Sequence, residues 1–500
     1  MSKGTPSRAR GRALVIKATT DTVAPVALGK LLESTYAGHL PGVMYTSVGS
    51  LDTTVRDITH DSTQVGRDSL FCCVVGDHSD GHEFAQEALN AGASVLLVER
   101  KLPFDCAQIV VTDTRRAMGE IASAFYEHPS RRMRVIGVTG TNGKTTTAHL
   151  LGAIFRQQGL NTEVFGTLSG ARTTPESCDL QRSLWRAAKV GVQAVVMEVT
   201  SHALVLQRIV GTQFEAVVFL NLSPEHLDFH KTLEQYFAAK ASLFDRRFTS
   251  LGFVNRDDVH GQLLLDAAEI NTVSFGLDDV ENLEVTASSH SYVWQKKTLH
   301  VPVGGKFNVS NSLAAATVAA NLGVDIIDII SGLAAAGTVA GRFQSISNGA
   351  PFDVIVDYAH TPDALRLVLD TTREIITPGG KIILVFGCGG DRDKAKRPMM
   401  GTVAALGADR VIITSDNPRS EEPMDIAQQI TSGIEDVVGR SHVSVELDRR
   451  SAIELAVMTA RKGDVVIIAG KGHEITQTIG NQVLPFNDAQ VANELIGELS

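Results

Sequence analysis

Gly140, Thr141, Asn142, Gly143, Lys144, Thr145 and Thr146 are consecutive, and their order is that of an anion-binding turn. Two glycines let backbone N–H groups approach an anion closely, and a helix starting at the lysine would add partial positive charge. Lys144 can reach the β- and γ-phosphate oxygens of a nucleotide, and the Thr145 hydroxyl can ligate Mg²⁺. The spacing is G-x-x-G-K-T, two residues shorter than the general phosphate loop, so the strict pattern is not met. A glycine turn ahead of an ordinary helix is the plainer alternative. Three further residues could complete a metal site: Glu198 at the end of one apolar run, His226 just beyond another, and Lys240. On a helical reading of 231–244, Leu233, Phe237, Lys240 and Phe244 share one face. A lysine on such a stripe either snorkels to solvent or has an assigned task. Taken singly, Glu198 and His226 are more often structural than ligands, and snorkelling is the commoner fate of Lys240.

These residues need a frame. "VIGVTG" (135–140) reads as a buried strand running into the glycine turn, followed by a helix over 144–158. "AVVMEV" (194–199) and "AVVFLN" (216–221) read as further strands separated by helical stretches, the alternation of a parallel α/β sheet. Upstream, "LFCCVV" (70–75) and "ASVLLVER" (93–100) read as strands, with a helix between them ending at a glycine. "YEHPSRRMR" (126–134) is polar and broken by Pro129, which makes it a linker. A second boundary falls near Gly341. Beyond it, "FDVIVDYAH", "KIILVFGCGG", "DRVIITSDNP" and "DVVIIAGKG" are apolar strands that empty into loops of glycine, proline and polar groups. Ligands of open α/β sheets bind outside the carboxyl ends of the strands, where all these loops lie. The expected division is a loose leader over 1–30, then domains over 31–131, 132–340 and 341–500.

Composition bounds the function. At 500 residues, with 43% hydrophobic and 20% charged residues, the chain has the make-up of a soluble multidomain protein. Lys and Arg number 46 against 56 Asp and Glu, a net charge of −10. Lys3, Arg8, Arg10, Arg12 and Lys17 all precede the first acid, Asp21, so the rest is more acidic still. That argues against broad nucleic-acid binding, which rests on neutralising phosphates. Five cysteines (72, 73, 106, 178 and 388) form no C-x-x-C pair and no secreted disulfide framework, so a reducing cytoplasm is expected. The basic leader lacks an apolar core and does not read as a secretory signal. The Ala/Ile-rich stretch 311–341 is interrupted by Asn321, Asp325 and Asp328, and reads as a buried helix pair rather than a membrane span.

"GTNGKTTT", "MEVTSHAL", "NLSPEHLDFH", "YFAAKASLF", "GRFQ", "VDYAHTPDAL", "FGCGGDRDKAKRP", "DNPR" and "AGKGHE" occur in that order between about residues 55 and 490. Together they resemble the Mur ligases of peptidoglycan synthesis. The resemblance implies three α/β domains: a small N-terminal domain for the uridine end of the substrate, a central phosphate-loop ATPase domain, and a C-terminal Rossmann-like domain for the amino acid. It implies an ATP-dependent amide ligase that extends UDP-N-acetylmuramoyl-L-alanyl-D-glutamate through an acyl phosphate. A carboxylate is a poor electrophile, and phosphorylation supplies a leaving group; the transfer then needs positioning and charge neutralisation. The resemblance makes Lys240 a lysine that carries a CO₂-derived carbamate, with Thr145, Glu198 and His226 beside Mg²⁺. Arg342, Asp357 and His360 match nucleotide-contacting positions from the C-terminal domain, and Asn308 and Asn311 match asparagines near the adenine. For the nucleotide-sugar substrate it points to Ser62, Asp77, His78, Ser79, Thr173, Thr174, Thr200 and Arg208. Thr63 stands where the family usually has arginine, and "EVTSH" replaces "EVSSH", with Thr200 retaining the hydroxyl. Small-molecule substrates, a cytoplasmic monomer, and neither nucleic-acid nor membrane partners are expected.

Three strand-end loops would choose the amino acid: Arg392 after the glycine turn 387–390, the run Asp416, Asn417, Pro418 and Arg419, and Gly470 to Glu474. Arg419 offers a fork for bidentate carboxylate binding, Arg392 a second contact, and Asn417 and Glu474 acceptors for an ammonium. Such a set suits the zwitterionic far end of meso-diaminopimelate, and "DNPR" is the form that diaminopimelate-adding members show. L-Lysine lacks the distal carboxylate and would leave the fork unpaired. Addition of L-lysine or another diamino acid is the alternative within the class. Outside it stand a phosphate-loop ATPase or kinase, a non-catalytic binding homologue, and a folate-glutamate ligase, which would lack "DNPR".

Overall fold

The computed structural model describes residues 23–36, 46–76, 79–170, 172–346, 349–435, 437 and 442–498. The chain divides into two compact units between Glu127 and His128. The first unit holds a five-stranded sheet in the order Thr46–Val48, Ala107–Val110, Ala93–Val98, Ser69–Cys72, Asp57–Thr59. Its pairs are parallel apart from the edge strand Thr46–Val48. Helix Ala85–Ala91 stops at Gly92, which takes the left-handed conformation and donates back to Ala88 and Leu89. Of the leader expected over 1–30, residues 1–22 lie outside the described residues, and the part from Val26 on is structured. Val26–Ala27 pairs with Thr54–Val55, and helix Leu28–Tyr36 buries Leu28, Leu31 and Leu32, whose i, i+3, i+4 spacing went unread under the basic composition ahead of it.

The second unit is built on two further parallel sheets, which completes three α/β domains. The central sheet has the order Asn271–Phe275, Leu251–Asn255, Ala216–Phe219, Arg134–Thr139, Ala194–Glu198, Thr162–Phe165. After Arg134–Thr139 the chain moves two places to one side and later returns on the other. The reversal therefore lies at the carboxyl end of that strand, where the glycine turn begins. The strands are apolar on both faces because helices cover both. On one face, helix Lys144–Gln157 packs against helices Phe307–Asn321 and Ile326–Ala335 around Leu150, Leu151, Ile154, Leu313, Val318 and Leu333. Gly332 permits this approach, since a Cβ there would stand 2.6 Å from the Ile154 Cα. The stretch 311–341 is thus largely the expected buried helix pair, although the first helix starts at Phe307. No helix among the described residues is long and apolar enough to cross a membrane.

The C-terminal sheet runs Gln344–Ser345, Asp353–Asp357, Val465–Ala469, Ile382–Phe386, Arg410–Ile413, His442–Val445, parallel except for its first pair. Its centre is a run of β-branched and leucine residues at almost zero exposure. Two antiparallel features were not read from the sequence: the sheet Glu281–Val285, His290–Trp294, Lys297–Val301, and the hairpin Thr476–Ile479 with Gln482–Pro485. Both are short and carry polar residues on one face, so neither produces the continuous apolar run that marked the other strands.

Candidate active site

The glycine turn is held by its own backbone and by Asn221. The Asn142 N–H donates to Asn221 Oδ1 at 2.9 Å, and the Asn221 amide donates back to the Asn142 carbonyl at 3.2 Å. Gly143 has φ +86° and stands against Asn311, whose Oδ1 a Cβ would strike, so only glycine fits. Helix Lys144–Gln157 starts at the next residue, which aims its N-terminus at the turn. Lys144 folds back to donate to the carbonyls of Gly140 at 2.7 Å and Thr141 at 2.8 Å. Enclosure pushes its ammonium below the ordinary lysine range, and Glu198 and Glu225 push the other way.

Lys240 lies behind the turn. It sits on helix Leu233–Ala241, is 1% exposed, and donates to the Gly140 carbonyl at 2.8 Å. It does not snorkel. Its ammonium stands 4.5 Å from the centre of the Tyr236 ring, and the Tyr236 hydroxyl lies 3.1 Å from Thr141 Oγ1. Among the described residues no carboxylate is paired with it; burial and the neighbouring Lys144 hold the amine well below its ordinary value against the opposing pull of Glu225, favouring the neutral form.

A cavity of about 630 Å³ opens in front of the turn. From the central domain it is lined by Thr141 to Thr146 and by Glu198, His226, Thr173, Thr174, Thr200 and Arg208. The C-terminal domain contributes Arg342, Asp357 and His360. Glu198 ends its strand 1% exposed, its two oxygens accepting the Thr167 N–H at 2.8 Å and hydroxyl at 3.2 Å. Each oxygen keeps a further lone pair. His226 has φ +56° and edges against the His202 ring; partial desolvation, Lys144 and Lys240 lower its pKa, while Glu225 opposes them. The carboxylate, imidazole and Thr145 hydroxyl line one cavity, and oxygen and nitrogen donors of this kind are ones that could hold a divalent cation.

Arg342 lies 4.8 Å from the Tyr358 ring centre, and its Nε is buried without a partner among the described residues. Asp357 accepts from the N–H groups of Phe343 and Ala359, both at 2.7 Å, and burial raises its pKa against the pull of Arg342. His360 has its carbonyl bound by Lys396 at 2.7 Å. A neighbouring cavity of about 470 Å³ is lined by Asn142, Gly143 and Asn311. Asn308 does not reach it: it is fully buried, donating to the Gly304 carbonyl and accepting from Asn311 at 2.8 Å. Its role is to orient Asn311, which the i, i+3 spacing on one helix permits. Arg208 is likewise committed, to Glu176 at 2.8 Å, and Thr174 donates to the Glu198 carbonyl at 2.9 Å. Thr200 caps the helix that follows it.

In the first unit, Ser62 opens a short turn capped by Asp61, and the Thr63 hydroxyl donates to Asp61 at 2.7 Å. The residue standing where the family carries arginine is therefore a cap partner. Ser79 is exposed, its carbonyl accepting from the Gly76 N–H. Asp77 and His78 lie outside the described residues.

The amino-acid loops meet at the carboxyl edge of the C-terminal sheet. Arg419 donates to the Gly390 carbonyl at 2.6 Å, and Arg419 and Arg392 both border Gly389. Asp416 and Asn417 are buried and joined by a 2.9 Å hydrogen bond, and Gly470 lies against Asp416. Pro418 is buried, its carbonyl crowded against Gly390. The expected ammonium acceptors are already engaged: Lys471 donates to Asn417 Oδ1 at 3.3 Å and to Glu474 Oε2 at 3.1 Å. Lys471, Tyr236 and Glu225 were missed in the sequence although each sits inside a quoted motif. Tyr236 stands four residues before Lys240, a spacing that could have flagged it.

Three family profiles match the chain: "Mur ligase family, catalytic domain" over residues 54–126, "Mur ligase middle domain" over 138–319, and "Mur ligase, glutamate ligase domain" over 341–472. The UDP-N-acetylmuramoyl-L-alanyl-D-glutamate--2,6-diaminopimelate ligase of Geobacillus kaustophilus is 40% identical over 489 residues, covering 93% of this chain and 99% of its own. The ligase of the same description from Aquifex aeolicus is 40% identical over 471 residues, 91% of this chain and 96% of its own. A solved structure of a UDP-N-acetylmuramoyl-L-alanyl-D-glutamate--2,6-diaminopimelate ligase superposes with a TM-score of 0.66 at 31% identity, covering 95% and 99% of the two chains. MurF from Acinetobacter baumannii shares the fold at 22% identity, with a TM-score of 0.63 over 95% and 99% of the two chains.

Proposed function

The chain belongs to the Mur ligase family, and from that premise we propose that it adds meso-diaminopimelate to the D-glutamate of UDP-N-acetylmuramoyl-L-alanyl-D-glutamate, with ATP as co-substrate. The observation that carries this reading is that Arg419 and Arg392 both border the glycine turn 387–390 at Gly389, and guanidinium groups are the partners that suit a distal carboxylate. In this reading a γ-carboxylate oxygen attacks the γ-phosphorus of ATP and ADP leaves. The amine then attacks the acyl carbon, the C–O bond breaks, and phosphate departs with that oxygen. The phosphate loop would orient the nucleotide; Lys144 and Arg342 line the cavity from the central and C-terminal domains, and Lys144 would leave the Gly140 and Thr141 carbonyls to reach the transferring phosphoryl. Asn311, fixed by Asn308, borders the nucleotide cavity.

Thr145, Glu198, His226 and a carbamate on Lys240 would hold Mg²⁺, which when bound neutralises charge on the phosphates. The buried, partner-poor Lys240 fits that modification: CO₂ adds to a neutral amine, a proton is released, and an anion replaces a cation beside the turn. Thr173, Thr174, Thr200 and Arg208 would face the muramoyl-peptide end, with Ser62, Asp77, His78 and Ser79 at the uridine end. A cytoplasmic monomer fits a pathway of soluble nucleotide-linked precursors. The test is the acceptor profile: the protein is incubated with ATP, the dipeptide precursor and each diamino acid separately. Amide product with meso-diaminopimelate is expected; turnover with L-lysine alone would end the assignment.

A further inference from the structure

Lys471 is 0% exposed, and its ammonium is held by three acceptors: the Thr476 carbonyl at 2.7 Å, Glu474 Oε2 at 3.1 Å and Asn417 Oδ1 at 3.3 Å. Asn417 in turn donates to the same Glu474 oxygen at 2.8 Å and accepts from the Thr478 N–H at 2.9 Å. One internal cation therefore ties the loop after Arg410–Ile413 to the loop after Val465–Ala469 and to the hairpin beyond it. The hairpin reaches Arg419 as well, through Arg419 N–H to the Thr478 carbonyl at 3.1 Å and Gly480 N–H to the Arg419 carbonyl at 2.7 Å. A buried charge is retained only where it is paired, and here the partner is the carboxylate that an incoming ammonium would otherwise claim.

The charge balance follows. Around the pocket stand Arg392, Arg419 and Lys471 against Asp416 and Glu474, while Arg449 behind them is cancelled by Asp488 at 2.7 Å. Lys471 offsets the charge of Glu474, whose side chain keeps 32% exposure, and the five groups around the pocket are left with one positive charge in excess. Such a pocket favours an amino-acid end that carries a carboxylate and disfavours a bare ammonium. We propose that Lys471 is a specificity-determining positioning residue: by occupying Glu474 and Asn417 it sets the pocket against diamino acids without a distal carboxylate. This rests on the amino-acid pocket assigned above.

The test compares kcat/KM for meso-diaminopimelate and for L-lysine in the full-length enzyme, with ATP and precursor saturating. Lys471→Met should shift the ratio at least tenfold toward L-lysine, through KM, while the KM for ATP stays within twofold. Glu474→Gln leaves the Lys471 cation unneutralised and should shift the ratio the opposite way, which keeps the idea testable if Lys471→Met does not fold. A ratio unchanged in a folded Lys471→Met protein, or moved toward L-lysine by Glu474→Gln, overturns the role of Lys471. A wild-type preference for L-lysine would instead count against the acceptor assignment, because the direction of the two shifts is independent of which substrate starts ahead.

Discussion

At the scale of single residues, Lys240 is the most informative side chain. Its only hydrogen bond among the described residues is to the Gly140 carbonyl, and its amine is biased toward neutrality by burial and by Lys144. Lys240→Ala should abolish ligation, and a short added carboxylic acid should restore part of it by standing in for the lost anion. Lys240→Arg keeps a cation there but cannot form a carbamate, and should remain inactive with or without the acid. Steady-state assays of both variants check this; normal turnover in unrescued Lys240→Ala would remove the carbamate. The lysine's place on a helix was legible in the sequence, but the helix is Leu233–Ala241 and stops short of Phe244, and the lysine's depth was not legible. Burial depends on Tyr236 and on the glycine turn, which is a hundred residues away in the chain. The commitment of Asn417 and Glu474 to Lys471 was hidden for the same reason, since motif chemistry marks which groups can bind but not which partner already has them.

Elements set the precision of the site. Arg449 and Asp488 are both fully buried and share hydrogen bonds of 2.7 and 2.8 Å; Arg449 also donates to the carbonyls of Ser415 and Ala469, the residues just ahead of Asp416 and Gly470. Asp488→Ala strands that guanidinium and should cost about 3–5 kcal/mol, read from urea unfolding. His290 tests a second element. It bridges the Val303 carbonyl at 2.7 Å and Ser312 Oγ at 2.8 Å, fastening the three-stranded sheet to helix Phe307–Asn321, and burial pushes its pKa down to about 4. The unfolded chain therefore binds a proton that the folded chain refuses between pH 6.5 and about 4. Stability should fall as pH drops through that window, by about 1.4 kcal/mol per pH unit from this group. His290→Gln should flatten that part of the wild-type slope in denaturation curves collected across the window; an unchanged slope would contradict it. The strands that carry the site were readable as continuous apolar runs, whereas the sheet His290 anchors was not, because in its exposed strand Glu281–Val285 acidic and polar residues break up the apolar Leu283 and Val285.

For the molecule as a whole, the second unit brings the carboxyl ends of two parallel sheets to one cavity, so Glu198 and the phosphate loop share space with Arg342, Asp357 and His360. The alternation of strands and helices made that class of architecture evident from sequence, and ordered motifs made the family evident. What pattern alone could not supply is that loops 200 residues apart line one cleft, since periodicity carries no information on which sheet edges meet. This cleft uses ATP to activate a carboxylate for amide formation. Precursor labelled with ¹⁸O in the D-glutamate γ-carboxylate tests it most directly, with ATP and meso-diaminopimelate supplied and the released phosphate analysed by mass. One ¹⁸O in each phosphate formed with the amide is the expected result; unlabelled phosphate accompanying labelled amide would contradict it.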